Sequence, residues 1–125
     1  MTFARITLWF AVVTFGAFGI LLTASPGLLD KWLGLRATTP EASTELRGFY
    51  GGLEIGLAVF LAVCALRPSF TAPGCLALAL LCGGIAAARL LGFALDGSAS
   101  PKLFAFLGTE LLFVVLGTIS VLRLR

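Results

Sequence analysis

Four stretches of this chain are apolar for about twenty residues each, and the polar residues gather between them. A helix needs about 20 predominantly apolar residues to cross the hydrocarbon core of a bilayer. The runs are continuous, without period-two alternation, so they predict membrane helices rather than the strands of a β-barrel. The first predicted span is 6–25, with no charge between Arg5 and Asp30 and with Trp9 suited to the interfacial aromatic belt. Pro26-Gly27 ends it. The second is 45–66, capped by Ser43 or Thr44 after Pro40 and closed by Arg67-Pro68. The third is 73–95, with Pro73 in its first turn and Asp96-Gly97-Ser98 as the following turn. The fourth is 102–122, opened by Pro101 and closed by Arg123 and Arg125.

The longest connection runs from Pro26 to Thr44. Within it Leu28-Leu-Asp-Lys-Trp-Leu-Gly-Leu35 is apolar but too short to span. It reads as a helix of one or two turns lying in the interface, with Trp32 at headgroup level. A lid over a cavity is the alternative, since connections longer than about 12 residues are often functional. The expected fold class is therefore all-α: an integral membrane four-helix bundle forming a single domain over 1–125, with a short interfacial helix between helices 1 and 2. The first span exceeds the apolar core of a signal peptide, about 7–15 residues, and no small-residue cleavage motif follows it, so it is expected to be a retained span.

Composition supports the membrane reading. The 125 residues are 59% hydrophobic and 12% charged, against about a quarter charged in soluble domains. Nine basic residues are scattered without forming a stripe, so no nucleic-acid partner is expected. Histidine is absent, which removes the usual general base and the commonest metal ligand. Cys64, Cys75 and Cys82 sit in apolar context without CxxC spacing and read as packing residues. No cofactor, metal or catalytic residue is expected.

Four charges fall inside the spans: Arg47 and Glu54 on the second, Arg89 on the third and Glu110 on the fourth. A charge at the bilayer centre costs about 2.5–3.5 kcal/mol on insertion scales, so such residues usually face the bundle interior and pair. Glu54 lies roughly 13 Å into its span at 1.5 Å per residue, and counting from the helix ends puts all four in one half of the membrane. Arg47, Tyr50 and Glu54 share a face at i, i+3 and i+7. The expectation is one neutral network of Arg47, Tyr50, Glu54, Arg89 and Glu110. It has two readings: interhelical scaffolding, or the polar end of a ligand cavity walled by some of the phenylalanines. Gly48, Gly52 and Gly56 form a small-xxx-small ladder, expected to mark a close helix contact within the bundle or between protomers.

Arg47-x-x-Tyr50-Gly-Gly-Leu53-x-x-Gly56, Arg89-Leu-x-Gly92 and the following Asp96-Gly97 resemble the signature of the domain of unknown function 4345 family. The order of four apolar segments with a long first connection resembles it as well. That resemblance implies kinship with DoxX-like four-helix membrane proteins and, more distantly, with the emopamil-binding fold. Members of the latter hold sterol-like or amphiphilic amines on acidic residues, which implies Glu54 and Glu110 as candidate acids here.

The functional expectation is non-catalytic binding or handling of a membrane lipid or lipophilic small molecule, with Arg47, Tyr50, Glu54, Arg89 and Glu110 as candidate ligand residues. The alternative is a structural or accessory subunit, docking on a membrane-protein partner or a second copy through the glycine ladder. A multi-pass location in a bacterial inner membrane, both termini cytoplasmic, is expected, although basic residues are nearly balanced between the two sides.

Overall fold

Prolines and small polar residues set where the helices begin. A computed structural model describes residues 1–125, and it is helical with no strand. Helix α1 is Phe3–Ala24, α2 is Leu28–Leu33, α3 is Pro40–Leu66, α4 is Pro68–Asp96 and α5 is Pro101–Arg123. Four of them, α1, α3, α4 and α5, are long and apolar enough to cross a membrane.

Two starts differ from the sequence reading for the same reason. Proline lacks an N–H, but the first turn of a helix leaves its N–H groups unpaired in any case, so proline opens helices there. Pro40 does so: Thr39 is the cap, its Oγ1 accepting from the Ala42 N–H at 3.1 Å, and α3 begins five residues before Glu45. Pro68 does so as well, opening α4 after the extended Arg67. Pro73, expected in the first turn, lies inside α4, where it offers no N–H to the Ser69 carbonyl. Pro101 follows the expectation, with Ser100 Oγ accepting from the Leu103 N–H at 3.3 Å.

The short helix of the long connection is present as α2. It ends on Gly34 at φ +70°, a left-handed position that glycine adopts without strain. The Gly34 N–H reaches Asp30 O at 2.8 Å, the single bond of an αL closure, and the Leu35 N–H reaches Leu29 O at 3.2 Å. Arg36 returns to Asp30 at 3.0 Å.

The packing divides into two compact units: Met1–Leu8 with Cys64–Arg125, and Trp9–Val63. In the first, α4 buries Thr71, Cys75, Leu78, Cys82 and Ala86. These positions recur at three- and four-residue steps, one helical face. The matching face of α5 buries Leu107, Phe113, Gly117 and Ser120. A Cβ on Gly117 would lie 2.8 Å from Cys75 O and 3.1 Å from Ala79 Cβ, so glycine is what lets α4 and α5 meet there. A Cβ on Gly74 would lie 2.5 Å from Cys64 Cβ, which fixes the α3–α4 corner in the same way. Thr71 Oγ1 donates to Cys64 O at 3.1 Å across that corner. Cys64, Cys75 and Cys82 are buried and free.

Thr7 and Thr14, both on α1, have different fates. Ser120 Oγ donates to Thr7 Oγ1 at 3.3 Å, making a buried polar contact in the first unit. Thr14 Oγ1 instead donates to its own helix at Phe10 O, 3.0 Å away.

In the second unit α1 meets α3 through glycines. A Cβ on Gly19 would be 2.8 Å from Ile55 N, and one on Gly51 would be 2.8 Å from Thr23 N. Trp32, expected at headgroup level, has its ring edge-on to Phe18 with centroids 6.1 Å apart.

The least expected feature is a turn of π-helix at Arg47–Gly52, inside α3. A π-turn carries i to i+5 hydrogen bonds and is a frequent mark of functional sites. It also adds a residue to the turn, which shifts everything beyond it by about 100° around the helix axis, the angle of one residue at 3.6 per turn.

Candidate functional site

That shift governs where the second span's polar residues go. In a regular helix Arg47 and Glu54, seven apart, would share a face. With the π-turn between them they do not, and the single five-residue network expected from the sequence does not form.

Arg47 is engaged with the end of α1. Its Nη1 donates to Thr23 O and, at 3.3 Å, to Ala24 O. The last four carbonyls of a helix have no partner within it. No basic residue occurs in the last turn of α1 to complement them, and Arg47 supplies the missing cation from α3. Arg47 is thus a helix cap rather than a member of an ion pair.

Arg89 and Glu110 do meet, as their depths in the sequence implied. Arg89 Nη2 donates to Glu110 Oε1 at 2.6 Å, and Nε lies 3.1 and 3.0 Å from the two carboxylate oxygens. The arrangement is a fork of guanidinium on carboxylate, the strong geometry for this pair. It continues the buried faces of α4 and α5 by one more step each. The side chains are 22% and 13% exposed, and Phe106 lies under the guanidinium with its centroid 5.6 Å away. The carboxylate and one edge of the guanidinium are therefore satisfied by each other.

Glu54 has no ion-pair partner. It is half-buried, and its Oε2 is buried without a hydrogen bond. One other side-chain oxygen is in that state, Thr23 Oγ1, and it belongs to the same unit. Thr23 packs on Gly51, and Glu54 follows Gly51 by one turn. Buried polar atoms are nearly always paired, so two orphans beside one π-turn are a site-like feature. Thr23 carried no signal in the sequence, being one threonine at the end of an apolar run. Tyr50, on the π-turn, is 37% exposed.

Within its own unit the glycine ladder makes no close contact. A Cβ on Gly48 or Gly56 would meet nothing within 4 Å, and one on Gly52 only Arg47 O at 3.9 Å. The close approaches use Gly19 and Gly51 instead. The ladder missed this because the helix phase that turns Gly51 inward turns Gly48, Gly52 and Gly56 outward.

A groove of about 390 Å³ runs between α4 and α5, lined by neither the ladder nor any of the five candidate residues. A smaller one of about 240 Å³ lies in the connection around Asp30 and Arg36.

Four membrane-length helices, a short helix after the first and an intramembrane arginine–glutamate fork define a small helical protein of membrane character. The model of the family described as Domain of unknown function (DUF4345) matches residues 3–120, and the chain belongs to that family. No curated protein and no solved structure matches the chain.

Proposed function

We propose that this chain binds a lipophilic molecule with a hydrogen-bond-donating head, a hydroxyl or an amine, and that Glu54 accepts from that head. One observation carries the reading: Glu54 Oε2 is buried without a partner. An unmade hydrogen bond at a buried oxygen costs about 1–3 kcal/mol, more for a charged group, and a ligand donor would remove that cost. Thr23 Oγ1, buried and equally unpartnered, supplies a second polar atom, against Gly51 of the π-turn. The π-turn adds support, because such turns persist where function requires them. Arg89 and Glu110 act as scaffolding in this reading, and Arg47 holds the helix end that carries Thr23. We further infer a multi-pass membrane location with both termini cytoplasmic, where Arg5, Arg67, Arg123 and Arg125 lie without an acidic side chain, against Lys31, Arg36 and Lys102 on the other side.

Native mass spectrometry of protein purified in mild detergent tests the binding. A co-purifying isoprenoid, sterol-like or amine-bearing lipid is expected, lost in Glu54→Gln and weakened in Thr23→Val while helicity is kept. If Glu54→Gln alters only stability and no such ligand is found with the wild type, the reading fails.

The outward glycine face favours a second reading, an accessory subunit. Since Gly48, Gly52 and Gly56 have open space beside them, a larger side chain is tolerated by the chain itself. Gly52→Leu that abolishes association with a larger complex, while leaving thermal stability unchanged, supports this reading. Unchanged migration as a monomer in both forms excludes it.

A further inference from the structure

The α4–α5 groove is apolar along its walls and has an arginine at one end. Its walls are Leu76, Leu80 and Gly83 on one helix and Val114 and Val121 on the other, and Arg125 stands at its end. Leu76 and Leu80 are 48% and 66% exposed, so the groove is open along its length. From Val114 to Leu122 it follows eight residues of helix, about 12 Å at 1.5 Å per residue. Half of a hydrocarbon core of about 30 Å is about 15 Å, so the groove covers close to one leaflet.

The side-chain charge at its Arg125 end is one-sided. The segments that reach this end of the unit, 1–8, 64–75 and 118–125, carry Arg5, Arg67, Arg123 and Arg125 and no aspartate or glutamate. Arg123 is held over the Phe3 ring, 4.8 Å from its centroid. Arg125 lies at the mouth of the groove and is exposed. The unit's two acids are elsewhere: Glu110 is tied to Arg89, and Asp96 ends α4 at the opposite end of the helix.

An apolar slot one leaflet deep, with arginine at the interface end, fits one class of occupant. We propose that the groove holds an acyl chain of an anionic phospholipid, with the Arg125 guanidinium on its phosphate. Zwitterionic lipids fill the slot equally well with their chains but bring a compensating cation to the arginine. A long guanidinium side chain at a helix end reaches the headgroup layer, and basic residues there select anionic lipids. This lipid site is independent of the Glu54 reading and uses none of its residues.

The test compares phosphatidylglycerol with phosphatidylcholine of the same chains, added to the full-length protein and followed by native mass spectrometry. Phosphatidylglycerol adducts are expected to be retained about fivefold better, one basic residue's share at a membrane surface. Arg125→Gln brings the two lipids to parity. Gly83→Leu fills the slot, because a Cβ at Gly83 lies an ordinary 3.8 Å from Val114 Cγ2 and the longer side chain projects beyond it. It is expected to remove adducts of both lipids. Glu54→Gln changes neither, which separates this site from the one above. Equal retention of the two lipids by the wild type overturns the proposal, as does undiminished phosphatidylglycerol binding in Arg125→Gln. Should Gly83→Leu not fold, the Arg125→Gln comparison decides alone.

Discussion

The Arg47 guanidinium sits on the carbonyl of Thr23, at the last turn of another helix. An arginine that the sequence suggested as half of an ion pair instead closes α1. The two roles differ in energy. A cation at a helix C-terminus contributes about 0.3–1 kcal/mol at exposed sites and up to about 2 when partly buried, whereas breaking a buried ion pair costs about 3–5. Arg47 is exposed, so Arg47→Gln is expected to lower stability by about 0.3–1 kcal/mol, with Arg47→Lys retaining much of the contact. Thermal unfolding in detergent measures this, and a loss as large as that of a broken buried pair would show that Arg47 has an ionic partner after all.

Arg89 and Glu110 are expected to behave as a unit. Arg89→Leu or Glu110→Leu alone leaves an uncompensated charge and costs about 3 kcal/mol, the lower part of the range because the pair is partly exposed. The double variant recovers most of that loss, since each apolar residue then faces another. A double-mutant cycle checks the coupling. Additive losses would mean that the fork contributes nothing as a pair.

Gly51 and Gly48 are three residues apart and should respond oppositely to alanine. At Gly51 the new methyl would meet the Thr23 backbone at 2.8 Å, so α1 and α3 must separate. At Gly48 it meets nothing, and a helical Gly→Ala change gains up to about 1 kcal/mol. Melting temperatures of the two variants should fall on opposite sides of the wild type. Equal tolerance at both positions would contradict the close α1–α3 approach.

The three cysteines line the packing of the first unit and are inaccessible. Maleimide treatment of folded protein is expected to leave Cys64, Cys75 and Cys82 unmodified, with all three reacting after denaturation. Rapid labelling of Cys64 in the folded state would show that the α3–α4 corner opens, because Gly74 covers it.

The sequence carried the helix count and the similar depth of Arg89 and Glu110, because both follow from long-range regularities: apolar length, and distance counted from the helix ends. It did not carry the π-turn. Hydrophobic periodicity cannot detect one added residue in a run where nearly every position is apolar. What was built on i, i+7 across Arg47–Gly52, the shared face of Arg47 and Glu54, moved with it. Caps were misread by a few residues for a local reason, since Pro40 and Pro68 each serve equally well as a stop or a start. Thr23 was invisible because its importance depends on Gly51, 28 positions later in the chain.

The guanidinium–carboxylate fork also constrains how the chain enters a membrane. Arg89 is synthesised 21 residues before the group that neutralises it, and only the short turn from Gly97 to Ser100 separates the two helices. Helix α4 leaving the translocon alone would present a bare cation to lipid, and α5 alone a bare anion. The two are thus expected to partition together as a helical hairpin, with the charge cancelled before release. A chain truncated after Ser100 should insert α4 less efficiently than the same chain carrying Arg89→Leu. Equal insertion of the two would show that α4 does not wait for its partner.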